Sequence, residues 1–62
     1  MGTLLNVREA AERLRLSVGT LYRLTSQKRI TFYKVGQRVL FDPADLETWV
    51  QARRVDQTEG AA

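Results

Sequence analysis

Apolar residues recur at helical spacing over "VREAAERL". Val7, Ala10, Ala11 and Leu14 fall on one face, and Arg8, Glu9, Glu12 and Arg13 fall outside it. Asn6 followed by Glu9 is the pattern of an N-cap with a carboxylate three residues on. The paired alanines offer little area but let a second helix come close. "RLRLS" then breaks the pattern, and Ser17 is a good cap for a new helix. Val18, Leu21 and Leu24 carry that helix from about Val18 to Ser26. The connection is only a few residues long, as in a helix-turn-helix pair. After the polar "QKR", the run "ITFYKV" is β-branched and aromatic and predicts a strand. "GQ" is a two-residue turn candidate, with Gly36 free to take positive φ, and "RVLF" is the returning strand. Asp42 caps a last helix with Pro43 at its first position and Asp45 completing a box-like pattern. Leu46, Trp49 and Val50 are its expected buried stripe, and Arg53 and Arg54 suit its C-terminal end. Trp49, the largest apolar group, is expected to anchor the hairpin and this helix to the first pair. "MGTLL" is an extended lead-in.

The predicted architecture is therefore mainly α with a small β-hairpin, in the order helix, turn, helix, hairpin, helix. Residues 1–54 form the folded domain and residues 55–62 a flexible acidic tail. With 62 residues there is one domain at most. A chain of this size buries only about 60% of its unfolded surface, so its stability is expected to be marginal. There is no Cys and no His, which excludes disulfides and a zinc site of the usual kind. No apolar run approaches the roughly 18 residues of a membrane span. The expected location is the cytoplasm, at the nucleoid.

The chain holds ten Lys and Arg against seven Asp and Glu, a net charge of +3. Two of the acids, Asp56 and Glu59, lie in the tail, which has no base. Residues 1–54 thus carry ten bases against five acids, or +5. A compact basic body favours a polyanionic partner, although the same charge would also keep a small domain soluble.

The second helix gives that partner a shape. With Leu21 and Leu24 turned towards Ala10 and Leu14, the opposite face presents Val18, Gly19, Tyr22, Arg23 and Ser26. Ser17 and Thr20 sit in the first turn, where unpaired N–H groups favour phosphate. An α-helix fits the major groove of B-form DNA, and its N-terminal residues meet the bases. Arg23 reaches a guanine edge or a phosphate, Thr20 and Tyr22 offer hydroxyls, and Gly19 removes bulk. An exposed polar face with no function is the competing reading, and Ser17 in particular also serves as a cap. Lys34, Gly36, Gln37 and Arg38 make a thin basic hairpin that can act as a wing along phosphates or in the minor groove. A charged tip that protects a sheet edge is the alternative. Lys28 and Arg29 are expected at the DNA backbone. No catalytic site, cofactor or metal is expected, nor a small-molecule substrate: the outer-face acids Glu9 and Glu12 and the capping acids Asp42 and Asp45 form no cluster.

The residues Leu4, Leu5, Glu9, Ala10, Ala11, Leu14, Ser17, Thr20, Tyr22 and Arg23 lead into Tyr33, Lys34, Val35, Gly36 and Arg38, and then Asp45, Leu46, Glu47 and Trp49. In this order and spacing the chain resembles the excisionase-like, MerR-type winged helix-turn-helix domains over residues 4–50. The resemblance implies Ser17, Thr20, Tyr22 and Arg23 on the major-groove helix and Lys34 and Arg38 on the wing. It implies an excisionase, a recombination directionality factor that binds adjacent sites cooperatively and bends attachment-site DNA for an integrase. A small transcriptional regulator of the same fold is the alternative. The free-standing length favours the first. Head-to-tail association of copies on DNA, with wing meeting acidic tail, is a further expectation. A third class, a protein-interaction module, would use Val18, Ile30 and Phe32 as an exposed apolar surface. Two departures stand out. The family usually has glycine in the turn where this chain has Arg15, which costs about 1–2 kcal/mol if the site is left-handed. Val18 replaces a residue that is often basic or polar, and either contacts a thymine methyl or packs inward.

Overall fold

The computed structural model describes residues 3–55. Six elements follow in chain order: β1 (Leu5–Asn6), α1 (Val7–Leu14), α2 (Val18–Ser26), β2 (Tyr33–Val35), β3 (Arg38–Phe41) and α3 (Pro43–Ala52). The acidic tail lies, from Asp56 onwards, outside the described residues.

The lead-in is more than an extended arm. Leu5 pairs with Phe41 and Asn6 with Leu40, so the hairpin becomes a three-stranded antiparallel sheet in the order β1-β3-β2. A two-residue strand has no periodicity to read, and its pairing is set by the distant partner. Asn6 ends the strand and opens α1 in one step. Its side chain accepts from the Glu9 N–H at 2.7 Å, and its own N–H donates to Glu9 Oε1 at 2.9 Å. That is the reciprocal capping box expected from the sequence.

Both helices of the first pair end alike. Beyond α1, Arg15 adopts φ 59°, ψ 40°, while Arg15 N–H reaches Glu12 O and Leu16 N–H reaches Ala11 O. Beyond α2, Lys28 has φ 57°, Lys28 N–H reaches Thr25 O and Arg29 N–H reaches Leu24 O. These paired 5→2 and 6→1 bonds are Schellman closures, which normally place glycine at the left-handed position. Here two basic residues occupy it. Arg15 is thus left-handed, so the cost foreseen for a non-glycine residue in that conformation applies.

The core gathers Val7, Ala10, Ala11, Leu21, Ile30, Phe41 and Leu46, with Leu5, Leu14, Leu24, Phe32, Val39 and Trp49 around it. Phe41 is fully buried, and Trp49 sits half-buried at the rim, packed against the core cluster. The expected buried stripe of the last helix is corrected. Val50 is exposed, so the buried stripe of α3 narrows to Leu46 with Trp49 beside it. An indole needs a partner for its N–H. Trp49 finds it in the Arg29 carbonyl at 2.9 Å, and this bond ties α3 to the segment after α2. Asp42 caps α3 through the Ala44 N–H at 2.8 Å, and Asp45 adds negative charge to the first turn. The strand expected over residues 30–35 is shorter, because Ile30 turns into the core before pairing begins at Tyr33.

Candidate nucleic-acid interface

In α2, Leu21 is fully buried, Leu24 is half-buried and Thr25 is buried. Thr25 is the missed member of the stripe. Its methyl packs inward and its hydroxyl donates to the Tyr22 carbonyl at 2.8 Å, so a polar residue type does an apolar position's work. Val18 does not join the stripe: it is 38% exposed. The opposite face carries Val18, Gly19, Tyr22, Arg23 and Ser26, all exposed, with Tyr22 at 50%.

Ser17 is committed to its helix. Its Oγ accepts from the Thr20 N–H at 3.0 Å and donates to Thr20 Oγ1 at 2.8 Å. This leaves the Thr20 proton as the hydroxyl donor of that turn. Gly19 is in helical backbone, and a Cβ built there meets nothing within 4 Å. No packing among the described residues requires glycine there, although a glycine within a helix costs about 1 kcal/mol relative to alanine.

Lys28 and Arg29 follow directly, both exposed. Arg15, also exposed, adds a base in the connection between the helices. In the sequence Arg15 stands out by its place in the turn, although its charge is equally legible there.

In the hairpin, Tyr33 pairs with Leu40, Lys34 with Val39 and Val35 with Arg38. Gly36 takes φ 64° and Gln37 has no positive φ, the signs of a type II′ turn with glycine first. The register separates the two wing cations. Lys34 shares the face of Val39 and Phe41, which looks to the core, and passes beyond it at the exposed tip. Arg38 shares the outer face with Tyr33, Val35 and Leu40. The wing therefore offers one base on each side.

Arg53 is occupied locally. Its guanidinium lies 4.1 Å from the Trp49 ring centroid and donates to the Trp49 carbonyl at 3.1 Å. Among the described residues no group of three or more acids forms a candidate metal site, and no helix is long and apolar enough to cross a membrane.

Two helices joined by residues 15–17, a small antiparallel sheet with a projecting two-residue turn, and a third helix define a winged helix-turn-helix protein. A family model described as a helix-turn-helix domain matches residues 4–54, and the chain belongs to that family. No curated relative and no solved structure matches the chain. Family and fold together point to sequence-specific DNA binding.

Proposed function

We propose that the chain is an excisionase-like DNA-binding protein, a recombination directionality factor that grips one face of the duplex with α2 and the wing. One observation carries the DNA-binding part. The outward face of α2 joins Tyr22, Arg23 and Ser26 around a glycine that no packing among the described residues requires, with the half-buried Thr20 at its first-turn edge. An unfilled position in the first turn lets the helix backbone approach a groove closely. Lys28, Arg29, Lys34 and Arg38 supply cations for the flanking phosphates, and Gln37 lies between the last two at the tip. Ser17 supports the grip as a cap. The excisionase part rests on the order and spacing of the motifs over residues 4–50. It makes an integrase the protein partner, neighbouring copies on DNA a source of affinity, and the nucleoid the place of action.

The interaction-module reading loses its surface. Ile30 is 5% exposed, and Phe32 is half-buried with its ring centroid 6.4 Å from that of Phe41.

The test is a footprint on attachment-site DNA at two ionic strengths, followed by bending and excision assays with the integrase. With about 4–6 phosphates neutralised, log affinity falls against log salt with a slope near −0.9 per contact. Protected adjacent sites, bent DNA and stimulated excision are expected. Protection of a promoter alone, with changed transcript levels and no bend, makes the protein a regulator instead. Affinity that ignores salt removes the DNA reading altogether.

A further inference from the structure

Val18 is the one aliphatic side chain on the outward face of α2, and the core formed by the described residues does not include it. It is 38% exposed and stands outside the core cluster. Tyr22, four residues on and 50% exposed, is its neighbour along the same face, since i and i+4 side chains stack one above the other. The pair makes a short apolar ridge on a face otherwise built of Gly19, Arg23 and Ser26. Beside the ridge, the open space at Gly19 permits the backbone to come close to whatever the face meets. Arg23 lies on the same face, and Lys28 and Arg29 are exposed beyond the C-terminal end of α2, so the helix carries positive charge that suits a polyanion.

The major groove displays one apolar group, the C5-methyl of thymine. Resting on the DNA-binding reading above, we infer that Val18 is a specificity-determining residue that packs on a thymine methyl, with the Tyr22 ring as the second wall of the contact. Arg23, five residues from Val18 and rotated round the helix, meets a neighbouring base pair or its phosphate. The recognised half-site therefore contains a T·A pair whose methyl is read by contact rather than by hydrogen bonds. A serine or lysine at position 18 would gain nothing from that methyl.

Uracil isolates the contact, because it keeps the pairing and the O4 acceptor of thymine and lacks only the methyl. Each thymine of the footprinted site is replaced in turn by uracil, and dissociation constants are measured for the wild type and for Val18→Ala. Alanine at an exposed helical position preserves the fold, which a melting curve verifies. The wild type is expected to lose about fourfold at one or two positions, the size of one methyl-like group removed from water. Val18→Ala is expected to bind the thymine and uracil forms equally at those positions. Tyr22→Phe, which keeps the ring, retains the discrimination. A uracil penalty that persists unchanged in Val18→Ala assigns the methyl to another side chain and overturns the inference. An intact footprint with no sensitive thymine also overturns it, while leaving DNA binding in place. Absence of any footprint overthrows both.

Discussion

Gly19 and Arg15 are paired exceptions to ordinary residue choice. Glycine stands inside a helix where alanine would fit, and arginine stands in a left-handed position where glycine would fit. Each has a directional consequence. Gly19→Ala should raise stability by about 0.5–1 kcal/mol through helix propensity, and should weaken specific DNA binding by obstructing close approach. Chemical denaturation and a binding titration on the same samples read the two effects. Stabilisation with undiminished binding would remove the close-approach argument. Arg15→Gly should stabilise by about 1 kcal/mol as the left-handed strain disappears, which for a domain of this size raises the melting temperature by roughly 4–8 °C. Thermal unfolding measures it. The Ser17 cap and the Asn6–Glu9 box were legible because capping needs fixed residue types at fixed offsets. Thr25 was not, because a threonine's burial depends on a local hydroxyl-to-carbonyl bond that composition does not announce.

Among the elements, strand β1 is the least self-sufficient and α2 the most self-specified. Asn6 belongs to both β1 and the cap of α1, pairing with Leu40 on one side and bonding Glu9 on the other. Asn6→Ala should therefore cost about 1–2 kcal/mol, and Asn6→Asp should restore most of it. Urea titration of the two variants gives the comparison. The limits of α1 and α2 and the strand at residues 38–41 follow from periodicity and punctuation in the chain. The third strand could not be read, since two residues carry no alternation and their partner lies 34 or more positions away. In the wing, register decides what each cation can touch. Arg23→Ala should reduce specific binding by about 1–3 kcal/mol if its guanidinium reads guanine. Lys34→Ala should weaken all sequences alike and flatten the salt slope by about one. Titrations on specific and random duplexes at several salt concentrations separate the two behaviours.

At the scale of the molecule, a small core leaves little reserve. Chains of this length rarely exceed about 3–5 kcal/mol of stability, and the largest fully buried side chain among the described residues is Phe41, which pairs with Leu5 of β1 and meets Phe32 in the segment before β2. Phe41→Ala removes about 3–5 kcal/mol, so the variant should be largely unfolded at 25 °C, as loss of helical circular dichroism would show. By size the sequence singles out Trp49 as an anchor, and it gives no sign that Phe41 is the most central side chain. Position decides that, for β3 runs through the middle of the sheet and delivers Phe41 inward, whereas α3 presents its indole at a margin. The basic character of residues 1–54 was readable from counting charges. The division of Lys34 and Arg38 between two sides of the wing was not, because it needs the pairing register.

The junction at Trp49 has a practical corollary. The protein contains one tryptophan, and it is bonded to the Arg29 carbonyl and covered by the Arg53 guanidinium. Its fluorescence is thus a single-site optical signal from the seam between the last helix and the chain segment leaving α2. Whatever displaces Arg29 or lifts Arg53 alters the quenching of that one chromophore, and no dye need be attached to see it.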